Sequence, residues 1–196
     1  MGGFVDESLV YRDPHDGRLY QNQDDIPFFK KQKRMILGNN QKLDPIRIIN
    51  YIELGGYAAT EKVLTNVDPA WIVAEVTKSG LRGRGGAGFP TGKKWELARA
   101  SGNGTGQKYI VCNADEGDPG AYMDRSLLEG DPHAIIEGLL IGGVAIGATQ
   151  GIIYVRSEYP IAIKHTIIAL RQARDLGLLG ENILGTGIDF DIKIVR

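Results

Sequence analysis

The chain has 196 residues, which is enough for one well-packed domain, or for one domain with an arm. Its 23 basic and 24 acidic residues give a net charge of −1, which argues against a general electrostatic grip on nucleic acid. The single cysteine, Cys112, excludes an internal disulfide framework and a cysteine-ligated zinc or iron–sulfur site within these residues. The lack of a disulfide framework favours a reducing, cytoplasmic setting for the protein.

The first 43 residues are predicted to form an arm. They are polar, contain Asp-Pro and Asp-Gly turn signals, and carry the basic run KKQKR at residues 30–34. The start of the chain has neither the basic head nor the long apolar run of a signal peptide. We therefore expect an irregular arm over residues 1–43, flexible or lying on a partner surface, and an α/β domain over residues 44–196.

Asp-Pro pairs mark the predicted helix starts. They occur at residues 44–45, 68–69 and 131–132, where the aspartate caps the helix and the proline has its φ preset for a first turn. Pro160 opens a further helix, which Gly177 ends. Residues 138–155 carry no charge and approach the minimum length of a membrane helix, but the sequence GATQG divides them. A buried helix followed by a buried strand fits this stretch better, so we expect no membrane insertion.

Three β-branched runs alternate with the later helices: KYIVCN at residues 108–113, GIIYVR at 151–156 and IDFDIKIVR at 188–196. This order predicts right-handed crossovers, and hence a Rossmann-like α/β fold with a mostly parallel sheet and flanking helices. Ligands of such sheets lie beyond the carboxyl ends of the strands. Because the last strand reaches Arg196, we expect the sheet to be truncated and to continue beyond it.

A glycine-rich loop, GLRGRGGAGFPTG, occupies residues 80–92 and contains six glycines. Such a backbone can approach a ligand closely, and Arg82, Arg84, Lys93 and Lys94 surround it with positive charge. The loop fits an anion, most simply a phosphate-bearing nucleotide, although a plain linker is the alternative. Its glycines match G-x-G-x-x-G, but a predicted helix rather than a strand precedes them, so the Rossmann fingerprint fits only in part.

An acidic loop, NADEGDPGAYMDR, follows the first predicted strand at residues 113–125. Asn113 and Asp115 could hydrogen-bond the edge of a planar ring, the carboxylates could bind Mg²⁺, or the segment could be an ordinary solvated turn. The three histidines share no ligand spacing, and no nucleophilic arrangement with serine or cysteine is evident, so we predict no metal site.

Several long motifs resemble those of one family. These are SGLRGRGGAGFPTGKKW at residues 79–95, the acidic loop, EGDPHAIIEG at 129–138, YVRSEYP at 154–160 and GTGIDFDIKIVR at 185–196. They closely resemble the FMN- and NADH-binding flavoprotein subunit of respiratory complex I. The resemblance is stronger still to the β subunits of NAD(P)-linked electron-bifurcating iron hydrogenases and NAD-dependent formate dehydrogenases.

The resemblance implies roles for individual residues. Asn113, Asp115 and Glu116 would hydrogen-bond the isoalloxazine edge, and Glu116 is the predicted catalytic residue, whose charge lowers the flavin potential. Phe89 would stack with NADH, and Asp118, which is typically Glu in complex I members, would line the nicotinamide nucleotide pocket. The full implied cofactor-binding set is Gly83, Arg84, Gly85, Gly86, Ala87, Gly88, Phe89, Lys94, Asn113, Asp115, Glu116 and Asp118. Leu97 replaces an aromatic residue of complex I members, which leaves the adenine stacking open.

The resemblance also implies an activity: hydride transfer from NADH to FMN, followed by electron transfer to iron–sulfur centres in partner subunits of a larger redox complex. Family members continue into a helical domain whose cysteines ligate a [4Fe–4S] cluster, and those ligands are absent here. We therefore expect this chain to be inactive alone. The alternative is a non-catalytic nucleotide-binding or assembly fragment that needs the missing C-terminal half.

Overall fold

The computed structural model describes residues 6–66, 68–101 and 106–196. The chain divides into two compact units, Met1–Ile36 and Leu37–Arg196. The first contains more regular structure than an irregular arm: strands β1 (Tyr11–Arg12) and β2 (Leu19–Tyr20) pair antiparallel, and a short helix α1 (Pro27–Lys30) follows. The second unit begins at Leu37, whereas the sequence predicts a domain boundary between residues 43 and 44. That domain boundary stays a prediction.

The second unit alternates helices and strands. Its helices are α2 (Ile48–Glu53), α3 (Ala58–Asn66), α4 (Pro69–Lys78), α5 (Thr91–Ala100), α6 (Met123–Gly130), α7 (Pro132–Ile146) and α8 (Pro160–Asp175). Its strands are β3 (Tyr109–Ala114), β4 (Gln150–Val155) and β5 (Asp191–Val195).

Two of the three aspartate caps are confirmed. The Asp68 side chain accepts hydrogen bonds from the Ala70 and Trp71 amides at the start of α4, and Asp131 accepts one from Ala134 in α7. The helix predicted at Asp44-Pro45 was placed too early. The Asp44 side chain and carbonyl instead close a turn, accepting from the Ile46 amide at 3.2 Å and the Arg47 amide at 3.0 Å.

The predicted parallel sheet is confirmed, with strand order β3-β4-β5. Ala114 pairs with Val155, and Gly151 with Ile192, so the carboxyl ends of β3 and β4 lie side by side. One face packs against α7, while the other exposes Tyr109, Val111, Tyr154 and Val195. Continuation of the sheet beyond Arg196 remains a prediction.

Helix α7 forms the centre of the core. Its residues Ile136, Leu140 and Ala145 are fully buried, and α3, α4, α5, α6 and α8 all pack against it. The uncharged stretch at residues 138–155 is thus the buried helix and strand that the sequence predicts, joined through Gly147 in the left-handed conformation. Among the described residues, no helix combines the length and apolarity needed to cross a bilayer.

Candidate functional site

The glycine-rich loop is closed at its base by backbone hydrogen bonds. The Gly83 amide donates to the Phe89 carbonyl at 2.9 Å, and the Thr91 amide donates to the Leu81 carbonyl at 2.9 Å. The loop therefore projects as a defined structure between α4 and α5, which pack against each other. It is not an open linker.

Backbone geometry explains two of the glycines in the loop. Gly86 has φ of 92° and Gly88 has φ of 59°, a region in which a side chain is strained. A Cβ built at Gly85 or Gly86 meets no atom within 4 Å. The backbone at the tip of the loop is thus accessible to a ligand.

The positive charges around the loop differ in their partners. Lys93 pairs with Glu96 at 2.7 Å, whereas within residues 6–66, 68–101 and 106–196 no ion pair involves Arg84 or Lys94. Lys94 lies in the first turn of helix α5, Arg84 lies in the loop that precedes it, and no side chain of the described residues caps the N-terminus of the helix. The two cations and the uncapped helix start together favour an anion.

A groove of about 740 Å³ runs between the loop and the sheet. Three residues of the predicted set, Gly83, Phe89 and Lys94, contribute to its wall. The rest of the wall is mainly apolar and comes from α5, α7 and β3, including Trp95 and Cys112. Phe89 is 47% exposed, and its stacking with NADH, which the family resemblance implies, stays a prediction.

Cys112 is an inert thiol. Burial, with a smaller contribution from Asp124, raises its pKa to about 11. It is therefore protonated at neutral pH and a poor nucleophile.

The acidic loop begins where β3 ends. The Asn113 Oδ1 atom accepts a hydrogen bond from the Asp115 amide at 3.1 Å, which turns the chain away from the strand. Asp115 Oδ1 in turn accepts from Arg156 at 3.2 Å. Asn113 and Asp115 are both exposed, and no hydrogen bond is formed by the Asn113 Nδ2 or Asp115 Oδ2 atom within the described part of the chain.

Glu116 has a structural role that the sequence did not reveal. Its carboxylate accepts from the amides of Met123 at 2.8 Å, Asp124 at 3.2 Å and Arg125 at 3.2 Å, at the start of α6. Tyr122, at the N-cap position, supplies no side-chain hydrogen bond, so Glu116 caps the helix from a distance. Burial, and secondarily the Glu116 charge, raises the pKa of Asp124 beside it.

Comparison with known proteins decides the family. The profile of the family described as the Nuo51 FMN-binding domain matches residues 76–196, which include both loops and the whole parallel sheet. The chain belongs to this family.

Curated relatives of the chain are named as components of redox enzymes. The NADP-reducing hydrogenase subunit HndC of Solidesulfovibrio fructosivorans is 58% identical over 165 residues, covering 84% of this chain and 33% of the relative. An NADH-quinone oxidoreductase component of Aquifex aeolicus is 47% identical over 162 residues, covering 83% of this chain and 37% of that component. The chain thus spans about a third of the length of these curated relatives.

Two solved structures that resemble the chain also come from a redox enzyme. An NAD⁺-reducing [NiFe]-hydrogenase in the air-oxidized state matches with a TM-score of 0.57 and 29% identity, over 83% of this chain and 25% of that chain. The H₂-reduced state matches with a TM-score of 0.53 and 36% identity, over 65% of this chain and 21% of that chain.

The structure brings only part of the predicted set of cofactor-binding residues together. Gly83, Phe89 and Lys94 share the groove with β3. Asn113 lies near the end of that strand and Asp115, Glu116 and Asp118 follow it, and none of the four lines the groove. Strand β3 is the element that connects the two parts.

Two residues that contact the acidic loop were not singled out from the sequence. Arg156 and Tyr159 follow β4, and both contact the acidic loop. The available signal was the motif YVRSEYP at residues 154–160, which contains both residues. Its position after the neighbouring strand of a parallel sheet would have placed it beside the acidic loop.

Proposed function

We propose that this chain binds FMN as the N-terminal part of a flavoprotein subunit in an NAD(P)-linked oxidoreductase. The observation that carries the proposal is the open backbone at Gly85 and Gly86, which follows Arg84 in the matched family segment and belongs to the same loop as two residues that line the groove with Lys94, Gly83 and Phe89. NADH, and iron–sulfur subunits of a hydrogenase, formate dehydrogenase or complex I-like assembly, are the proposed partners. The relatives named NADP-reducing hydrogenase and NADH-quinone oxidoreductase support this class.

The described residues fit a flavin mononucleotide. The glycine-rich loop leaves space where a Cβ would meet no neighbour, and Lys94 supplies a positive charge on the wall of the groove. Within the described residues, Asn113 keeps an amide donor free and Asp115 a carboxylate oxygen free. A donor next to an acceptor matches the pyrimidine edge of a flavin, which presents carbonyl oxygens beside an N–H.

When bound, FMN would supply the ability to accept a hydride from NAD(P)H and to release electrons singly. The residues of this chain would bind and orient the flavin, while Phe89 and Asp118 would lie towards the nicotinamide nucleotide. The negative charge of Glu116 is proposed to lower the flavin potential, acting from its position at the start of α6.

The proposal also covers the cellular compartment of the enzyme and the cofactor that this chain does not hold. The free thiol of Cys112 supports a reducing, cytoplasmic setting. A [4Fe–4S] cluster would be held by cysteines outside these residues, since this chain has one cysteine. We expect the chain alone to bind flavin without sustained NADH oxidation.

Titration of FMN with the purified chain, followed by flavin fluorescence, tests the proposal. We expect a Kd in the micromolar range, weakened at least roughly tenfold by Asn113→Ala or Asp115→Ala, because each removes a contact to the ring edge. Asp175→Ala removes the same charge at the end of α8 and is the matched control, with unchanged affinity expected. Absence of binding by the unmodified chain, or equal effects of Asp115→Ala and Asp175→Ala, would contradict the proposal.

A further inference from the structure

The acidic loop is held in place by the connection that follows β4. Because Ala114 pairs with Val155 in the parallel sheet, the next residues, Asp115 and Arg156, emerge side by side. Arg156 Nη1 donates to Asp115 Oδ1 at 3.2 Å, and Arg156 Nη2 donates to Glu158 Oε1 at 2.8 Å. The guanidinium group therefore bridges the two βα connections.

The backbone of the acidic loop is shaped to admit this guanidinium group. A Cβ built at Gly117 would lie 2.6 Å from Arg156 Nη1, so any larger residue would displace the arginine. The backbone is also anchored nearby, since Tyr159 Oη donates to the Glu116 carbonyl at 2.7 Å. The Glu116 side chain is fixed on α6. The Asp115 side chain is held by Arg156 alone within the described residues.

We propose that Arg156 is a positioning residue for the flavin ring. By occupying Asp115 Oδ1, it leaves the Oδ2 atom as the free acceptor within the described residues, while Asn113, whose Oδ1 accepts from the Asp115 amide, keeps its Nδ2 donor free there. The pair then presents one donor and one acceptor in a fixed order, which is what recognition of an imide edge requires. This inference rests on the proposed function, because it assigns Arg156 a role in the same flavin site.

The effect of Arg156 is expected to be orientation more than attraction. The side chains of Arg156 and Asp115 are 31% and 42% exposed, and ion pairs this accessible contribute little by themselves. Removing Arg156 would instead free the Asp115 carboxylate to rotate and leave its charge uncompensated beside the ligand. The loss of flavin affinity should come from contacts with the ring edge and not from contacts with the phosphate.

The test is titration of FMN and of riboflavin, which lacks the phosphate, with the purified chain and its variants. For Arg156→Gln we expect both flavins to bind about tenfold more weakly, by the same factor, as for one lost charge-assisted hydrogen bond. Arg156→Lys should recover part of the affinity. Arg174→Gln removes the same charge from another exposed arginine–aspartate pair, with Asp191, so it is the matched control with unchanged affinity.

A double-mutant cycle separates positioning from a general structural effect. In the Asp115→Ala background, Arg156→Gln should cause no further loss of riboflavin affinity, because the side chain it orients is gone. Hydrogen exchange of the unliganded Arg156→Gln chain should accelerate in the acidic loop and stay unchanged in β4 and α8, which shows that the variant is folded.

Each other outcome overturns the inference. Unchanged binding of both flavins to Arg156→Gln, weakening of FMN alone, or additive losses in the cycle would each exclude positioning of the ring edge through Asp115. If the unmodified chain binds neither flavin, the proposed function fails and the inference fails with it. If the unmodified chain binds and Arg156→Gln binds equally well, the inference fails by itself.

Discussion

Glu137 is a buried carboxylate whose hydrogen bonds join α7 to α2 and to the start of α3. It accepts from Tyr51 Oη at 2.6 Å, the Tyr57 amide at 3.0 Å, and the Thr60 amide and hydroxyl at 3.1 and 3.3 Å. Burial first, and then the neighbouring Glu137, raises the pKa values of both tyrosines, so both hydroxyls remain protonated and that of Tyr51 donates to Glu137. Glu137 caps the start of α3 from another helix.

Replacing Glu137 by Gln should destabilise the fold, because the amide group presents N–H where the buried amides need an acceptor. We expect a loss of about 1–3 kcal/mol, measured as the shift in the urea unfolding midpoint. Glu96→Gln is the control, since Glu96 forms an exposed pair with Lys93 and its loss should change stability by less than about 0.5 kcal/mol. Equal midpoints for the two variants would show that the buried carboxylate contributes nothing.

At the scale of elements, the contact between α4 and α5 determines where the glycine-rich loop is held. Gly92, in the first turn of α5, lies directly against Thr77 of α4. A Cβ at Gly92 would come within 2.7 Å of the Thr77 amide nitrogen and 2.8 Å of its Cα. These are backbone atoms, so they cannot rotate away as the end of a side chain can.

Gly92→Ala should therefore separate α4 from α5, although alanine usually favours a helix. We expect a loss of about 1–3 kcal/mol in the free energy of unfolding, from overpacking, together with weaker FMN binding because Lys94 moves with α5. Gly138→Ala in α7 is the matched control: its Cβ would meet no atom within 4 Å, and stability should be unchanged or rise by up to about 1 kcal/mol. Destabilisation by both variants to the same extent would contradict overpacking at Gly92.

The elements also show how far the sequence could predict the structure. The caps at Asp68 and Asp131 are local, so a dipeptide was enough to predict α4 and α7. Asp44-Pro45 has the same local chemistry but forms a turn. The amide of Ile48, where α2 begins, instead donates to Gln172 on α8 at 3.1 Å, a contact that no local pattern could indicate.

The candidate site likewise combines features that the sequence predicts with features that depend on long-range contacts. The glycine-rich loop was evident because its chemistry lies in consecutive residues. The distant cap that Glu116 places on α6, and the contact between Arg156 and Asp115, depend on the sheet register. These contacts join residues that are separated in the sequence, so they emerged only from the folded chain.

For the whole molecule, the boundary between the two units has a measurable consequence. Residues 37–43 belong to the second unit, where Asn40 Nδ2 donates to the Ser126 carbonyl at 2.7 Å and Asn39 Nδ2 donates to Asp131 Oδ2 at 3.4 Å. Leu43 also packs against the core. A chain that begins at residue 44 would lack these contacts, whereas a chain that begins at residue 37 would keep them.

A chain of residues 37–196 should thus melt at a higher temperature than one of residues 44–196. Loss of the two hydrogen bonds and the Leu43 packing should cost about 1–3 kcal/mol, and each kcal/mol lowers the melting temperature by about 2–4 °C for a chain of this size. Circular dichroism during heating measures both chains under identical conditions. Equal melting temperatures would favour the boundary predicted from the sequence, between residues 43 and 44.

The glycine-rich loop and the acidic loop are proposed to form one flavin site at the two sides of β3, and every functional prediction above depends on this. Amide proton–nitrogen correlation spectra of the isotope-labelled chain, recorded during an FMN titration, test it most directly. We expect the resonances of residues 83–88 and of residues 113–118 to shift together, with a single dissociation constant. Shifts confined to one loop, or no shifts in either, would contradict a shared site.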